Sequence, residues 1–446
     1  MDPCVRDECT YLRLAGRMAE GKGMTASAGW LWAPGWPVLL GIFKWATGWA
    51  GTVKALQIPV AGANSVMLYI LAGKVFGEGQ RDDETYAKRR RVAGLVAAWM
   101  YAISLHQAFF AQRLWSEVVY TGVLLGGLLL FMRARDTMLQ GPDTPRGGDA
   151  RKALGAAAML GFAVGICVLF RGVAQYMAPI FVVGLLWGRL RRGLAWGQAG
   201  ALVVAMGLTV APYSIHATEK FETFVLSDRT LGQMMWLGNN DFKPLTFDYG
   251  NGQLSQRAFK RTKNTGRKPC AKRSKAFELD ACQVDAGKQW ILANKAEFFR
   301  RMPMRVAQLL NPHSLLTRHL RWNRYPGIPW WLTEGLIATQ ALASMVVLFL
   351  GAAGLALRGK GGRGIVIAGI LVYHVAAIAA LAGLTRYRVP LEPLLMLFAA
   401  GIFADPRGSL KALRTWRAPL VGLTLLVVVP LVLWYLPAGW PGWRSW

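Results

Sequence analysis

Long apolar runs recur from about residue 57 to the C-terminal end, each of about the length that crosses roughly 30 Å of hydrocarbon as a helix. The pattern predicts spans near 57–76, 92–110, 114–131, 153–170, 172–188, 198–215, 330–357, 365–384, 389–404 and 418–436. The stretch 153–188 is too long for one helix and carries one charge, Arg171, so it is divided there. Two regions break the pattern. Residues 1–56 open with Leu12, Leu14, Ala15, Met18 and Ala19 set among Arg13, Arg17 and Glu20, the periodicity of a short amphipathic helix that stops at Gly21 and Gly23. Trp30, Trp32, Pro34, Gly35, Trp36 and Pro37 follow, and tryptophans at that density favour the headgroup layer of a bilayer. Residues 216–329 form the one large polar stretch, either a small α+β unit or mostly helical, with a mobile Gly/Lys/Arg/Thr-rich loop over 250–275. The expectation is an all-α polytopic membrane protein of about ten transmembrane helices. Its parts are a first loop (1–56), a bundle of about six spans (57–215), a small external domain (216–329) and a second bundle of about four (330–446).

Composition agrees: 54% of the 446 residues are hydrophobic and 17% charged, with a mean hydropathy of +0.29, which excludes an ordinary soluble enzyme. The net charge of +28 is read by location. Short loops on one side hold Arg81 and Lys88 to Arg91, then Arg133, Arg135, Arg146, Arg151 and Lys152, then Arg189, Arg191 and Arg192. The same side continues with Arg358, Lys360, Arg363, Arg407, Lys411, Arg414 and Arg417. Opposite loops hold only Arg113, Arg171, Arg386 and Arg388, so the positive-inside rule places that sparser face, with residues 1–56 and 216–329, outside the cytoplasm. The basic stretch 257–275 lacks interleaved aromatics, so nucleic acid is not expected as a partner. Five cysteines in no metal-ligand spacing argue against a zinc site. Cys270 and Cys282, twelve apart, are either a disulfide or free thiols, and Cys4 with Cys9 is a weaker second pair.

Ionisable groups within spans are costly, so their positions carry information. Glu117, Arg171, Glu334, Arg386, Arg388 and Glu392 all map to external ends of spans, while His374 alone lies near a midplane. An ion-coupled transporter should concentrate polar groups at the midplane. This distribution points instead to chemistry at the outer surface, beside the adjacent carboxylates Asp7 and Glu8.

Asp7 and Glu8 with Tyr11, Leu12, Ala15 and the run Glu20 to Gly23, then Pro34 to Pro37, resemble the first external loop of the C-type (GT-C) membrane glycosyltransferases, especially family 39, the dolichyl-phosphate-mannose-protein mannosyltransferase-like enzymes. Leu114 to Glu117, Phe170 with Arg171, Ala211 to Tyr213, Gly238 to Asn240, and Arg386 to Pro390 with Pro393 are similar to further motifs of that family, in the right order along nearly the whole chain. Two departures stand out. The chain starts inside the loop that in the family follows a first helix, so a first span is expected to be missing; and Trp32, Ala33 and Pro34 stand where the aminoarabinose transferases carry Glu-Lys-Pro.

The resemblance implies inverting transfer of a sugar from a polyprenyl-phosphate-linked donor to a hydroxyl of a lipid, glycan or protein acceptor, at the outer face of a bacterial inner membrane. Asp7 is then the general base, or else a helix cap. Glu8 positions the acceptor, helps hold a divalent cation, or is a first-turn charge favoured by the helix dipole. Arg171, Arg386 and Arg388 bind the donor phosphate, or anchor to headgroups. Glu117 lines the pocket with Tyr11 and Tyr387, or forms a structural ion pair. Competing readings are a lipid-linked glycan translocase and an inactive scaffold of a glycan assembly complex.

Overall fold

The computed structural model describes residues 7–24, 32–76, 84–136, 147–189, 193–241, 270, 276–322, 325–359 and 361–433. Cys4, Trp30 and nearly all of the basic stretch 257–275 lie outside the described residues. Among the described residues the elements are eighteen α-helices and three short 3-10 turns, with no β-strand. The protein is an all-helical, multi-pass membrane protein.

Among the described residues, six helical stretches are long and apolar enough to cross a membrane: Ala50–Val75, Glu117–Asp136, Ala150–Phe170, Gly193–Phe221, Trp330–Arg358 and Gly362–Ala380. Two bent pairs, Ala87–Ala102 with Leu105–Ala111 (59°) and Pro406–Ala412 with Arg417–Leu433 (95°), raise the number to eight if each is one span. The described residues thus show six to eight such spans where about ten were expected. The segments at 172–188 and 389–404 are apolar and helical, but Glu392–Ala404 has 13 residues, roughly 20 Å at 1.5 Å per residue, short of the hydrocarbon thickness. The 172–188 segment is split into a 3-10 turn, Gly172–Tyr176, and a helix of 9 residues, Ala178–Leu186. The bend in the 92–110 segment has a local cause: Ser104 leaves the helix and its hydroxyl accepts from the Gln107 N–H at 3.3 Å, capping a new helix.

Helix α1 (Asp7–Ala19) carries Asp7 and Glu8 in its first turn and Arg17 in its last, the charge order that suits a helix dipole. Gly21, at φ +72°, lets the chain turn out as the Lys22 N–H closes on the Arg17 carbonyl at 2.8 Å. Tyr11, Leu14 and Ala15 are buried against α2 (Gly35–Thr47), which in turn buries Trp36 and Leu40. The Trp36 indole N–H donates to the Leu114 carbonyl at 2.9 Å, so Trp36 is a core residue and not the interfacial anchor expected of it. Tyr11, Trp36, Leu40, Phe110, Trp115 and Val389 belong to one apolar cluster. A larger one, including Leu68, Leu124, Phe131, Phe181 and Phe398, fills the middle of the bundle.

The described part of 216–329 is helical. Cys270 and Cys282 form a disulfide there; Cys9 is also disulfide-bonded. Arg305 fastens this region to the bundle by donating to the carbonyls of Ala379 at 2.7 Å and Ala380 at 3.1 Å, and it binds the Gly238 carbonyl of its own region at 2.6 Å. His374, the midplane histidine, is buried and bonded within its own helix to the Ile370 carbonyl at 2.8 Å.

Candidate active site

Four segments far apart in sequence meet at one end of the bundle. They are the first turn of α1, the loop before the span Glu117–Asp136, the break at Arg171, and the turn Thr385–Arg388. Phe170 ends its helix, and Arg171 is extended (φ −153°, ψ 118°) before the chain turns again at Gly172. That break aims a guanidinium at the bundle's end instead of along a helix face.

Arg386 is the hub. Its Nη1 donates to Asp7 Oδ2 at 2.6 Å while its Nε donates to Glu117 Oε1. The same Glu117 oxygen accepts from Arg171 Nη1 at 3.1 Å. Two carboxylates thus face two guanidinium groups, with Glu117 fully buried and Asp7 the most open member at 39% exposure. Aromatic faces complete the surround: Arg386 lies 4.8 Å from the Trp115 ring centre, and Arg171 lies 5.4 Å from that of Tyr387 and 5.7 Å from that of Tyr120. Ring faces attract cations without using up their N–H groups. Burial alone would lower the affinity of Arg386 for its proton, but Glu117, Asp7 and Tyr11 outweigh it and hold the guanidinium well above its ordinary pKa. Burial also raises Tyr11 to about 12 and raises Tyr387; both stay protonated at neutral pH. Glu117 Oε2 is buried with no hydrogen-bond partner among the described residues.

The structure thus gathers Asp7, Tyr11, Glu117, Arg171, Arg386 and Tyr387, and it separates two residues expected beside them. Glu8 turns the other way: it is buried, accepts from the Leu114 N–H at 3.1 Å and lies 3.9 Å from Arg113, fixing α1 onto the bundle. Arg388 is 1% exposed. It donates to Glu392 at 2.7 Å, to the Asn311 and Leu309 carbonyls at 2.5 and 3.3 Å and to Ser344 at 3.3 Å. With Nε, Nη1 and Nη2 all engaged, it is held within the packing around Glu392. Glu392 also pairs with His106 at 2.8 Å and accepts from Gln107 at 3.1 Å. The alternation in Arg386-Tyr387-Arg388 was the missed signal: on a tight turn, residues two apart point to different sides.

Sequence reasoning also passed over Trp115, which presents its face to Arg386, because tryptophan near a span end reads first as an anchor. As for a metal, no three His, Cys, Asp or Glu side chains converge among the described residues. Asp7 and Glu117 already share Arg386. The guanidiniums of Arg386 and Arg171 are the groups here that suit an anion.

No family model matches the chain, and no curated protein matches it in sequence. Among solved structures it is similar to the Archaeoglobus fulgidus oligosaccharyltransferase in complex with Zn and sulfate, at 15% identity and a TM-score of 0.46 over 97% of this chain and 48% of that one. It is similar to the oligosaccharyltransferase AglB of the same organism, in complex with an inhibitory peptide and a dolichol-phosphate, at 14% identity and a TM-score of 0.45 over 100% and 53%. It is also similar to ArnT from Cupriavidus metallidurans bound to undecaprenyl phosphate, at 15% identity and a TM-score of 0.39 over 90% and 74%. The chain spans about half the length of the archaeal proteins. These likenesses are loose, and the functional reading rests on the chain's own residues.

Proposed function

We propose that this protein is a membrane glycosyltransferase of the GT-C type, which moves a sugar from a polyprenyl-phosphate donor to an acceptor hydroxyl at the outer face of a bacterial inner membrane. The single observation that carries this reading is the convergence of Asp7, Glu117, Arg171 and Arg386 at one end of an otherwise apolar bundle. A donor whose lipid lies in the bilayer brings its phosphate to that depth. Arg171 and Arg386 meet the phosphate: a guanidinium offers five N–H donors in a planar fork, and Glu117 engages one nitrogen of each.

Transfer needs the acceptor proton removed as the sugar leaves its phosphate. The acceptor oxygen attacks the anomeric carbon, the bond from that carbon to the phosphate oxygen breaks, and polyprenyl phosphate departs with the electron pair. Attack opposite the leaving group inverts the centre. Asp7, the exposed carboxylate of the cluster, takes the acceptor proton, and Arg386 orients it. Charge growing on the leaving phosphate is stabilised by the two guanidiniums, which are held in place before the reaction. Tyr11 and Tyr387 wall the pocket.

The test is transfer of labelled sugar from a panel of polyprenyl phosphates to membrane extracts, wild type against Asp7→Asn. The amide keeps the shape and removes the basicity, so transfer should fall by at least about a hundredfold while donor still binds. Near-normal turnover by Asp7→Asn would overturn the assignment of the base, and no transfer by the wild type from any donor would overturn the enzyme reading.

A further inference from the structure

Arg171 owes its direction to a backbone break, and something must hold that break. Burial of its neighbour Gly172 has an unusual cause: a Cβ there would fall 2.7 Å from both Cγ and Oδ2 of Asp228. A carboxylate from outside the bundle is laid on the peptide that follows Arg171. The Asp228 carboxylate packs on Gly172, whose N–H favours its charged form, and Oδ2 accepts from the Thr230 hydroxyl at 3.0 Å.

The segment bearing Asp228 is itself anchored. Asp280, on helix Ala276–Ala293, accepts from the Gly232 N–H at 2.7 Å and pairs with Arg229 at 3.6 Å. A continuous set of contacts therefore runs from Asp280 through residues 228–232 to Gly172, Arg171 and Glu117.

We infer that Asp228 is a positioning residue for the donor-phosphate site: it clasps the Arg171–Gly172 peptide and thereby sets the guanidinium that meets the phosphate. This rests on the reading of Arg171 given above. Asp228 does not touch the reacting atoms; it works through the backbone. Its environment agrees. Burial pushes its carboxyl up to about 6, with the charge of Asp280 adding to the rise and Thr230, the Gly172 N–H and Arg171 opposing it. The fold thus keeps a carboxylate where its charge is disfavoured, and what it gains there is the contact with Gly172.

The experiment is binding of undecaprenyl phosphate to the purified full chain in detergent, with thermal unfolding of every variant recorded alongside. Asp228→Ala removes the clasp and Gly172→Ala displaces it, so each should weaken binding about tenfold. Asp228→Asn keeps an acceptor for Gly172 and should recover to within about threefold of wild type. Asp280→Asn loosens the same segment without touching Gly172 and should weaken binding less than Asp228→Ala does. If Asp228→Ala does not fold, Thr230→Val, which frees one carboxylate oxygen, should still weaken binding measurably. The inference is overturned if Arg171→Ala weakens binding while Asp228→Ala and Thr230→Val do not, or if Asp280→Asn and Asp228→Asn weaken it as much as Asp228→Ala. If Arg171→Ala itself leaves binding unchanged, the role given to Arg171 fails, which is a different result.

Discussion

The span Glu117–Asp136 carries a carboxylate at each end, and the two ends are built differently although their residue types match. At one end Glu117 is fully buried and shared between Arg386 and Arg171, which approach from segments distant in sequence. Aromatic faces rather than backbone carbonyls surround those arginines. At the other end Asp136 is 25% exposed and pairs with Arg363 and with Lys74 at 3.3 Å. Its neighbours spend their donors on backbone: Arg363 on the Lys74 carbonyl at 2.6 Å, Arg135 on that of Gly184 at 2.5 Å and Arg189 on that of Arg135 at 3.0 Å. Arginines committed to carbonyls tie helix ends together. Arginines that hold only carboxylates and ring faces keep donors for a ligand. The difference separates a site from a set of anchors more reliably than the count of charges does.

The comparison breaks most visibly at Glu117. Glu117→Gln removes the fully buried partner shared by two part-buried guanidinium groups and should cost about 3 kcal/mol of stability, the low end of the scale for breaking a buried pair, and transfer should be lost with it. Thermal unfolding and the transfer assay read the two effects separately. A folded, active Glu117→Gln protein would show that the cluster is held by something other than its charges.

Arg388 and Arg386 sharpen the contrast within one turn. Arg388→Ala leaves Glu392 with His106 and Gln107 but without its guanidinium and should cost about 3 kcal/mol of stability, while the donor KM of the folded fraction stays at the wild-type value. Arg386→Lys inverts this outcome. Lysine keeps the charge but cannot span Asp7 and Glu117 as a fork does, so unfolding should barely shift while kcat/KM falls by about 10- to 100-fold, the worth of a charged hydrogen bond. If Arg388→Ala raised the donor KM and Arg386→Lys did not, the two residues would have to exchange roles.

Much of this was legible before the coordinates. Each apolar run did become helix, because about twenty residues of Leu, Val, Ala and Gly leave the backbone no partner in lipid except itself. Glu117, Arg171 and Arg386 stood out because a charge at the end of a span is costly enough to need a reason, and Asp7 because it is one of two adjacent carboxylates in the first loop. Two kinds of information were missing. Hydropathy measures apolar length and not the break inside it, so the caps at Ser104 and the turn at Gly172 made spans look longer or more numerous than they are. Partners were also hidden. Glu8 reads like Asp7 in sequence, yet one turns to Leu114 and the other to Arg386. Asp228 lies 57 positions from Arg171 in the chain and nothing in its neighbourhood marks it, because its role is set by a contact with a peptide group.

The smallest expected effect lies at the opposite end of the same helix. Asp136→Asn deletes a carboxylate as Glu117→Gln does, but the setting is wet: Asp136 is 25% exposed and Lys74 34%. Solvent screens such a pair, and each cation has another outlet. Arg363 retains the Lys74 carbonyl, and Lys74 can extend its ammonium to the interface. The loss should therefore stay below about 1 kcal/mol and shrink further as salt is raised, because exposed charges are screened over roughly 10 Å at 0.1 M. Unfolding midpoints of wild type and Asp136→Asn at low and high salt measure this directly, with transfer kinetics unchanged in both. If Asp136→Asn lost transfer as Glu117→Gln is expected to, the two ends would be coupled through the helix, and reading one as a site and the other as an anchor would no longer hold.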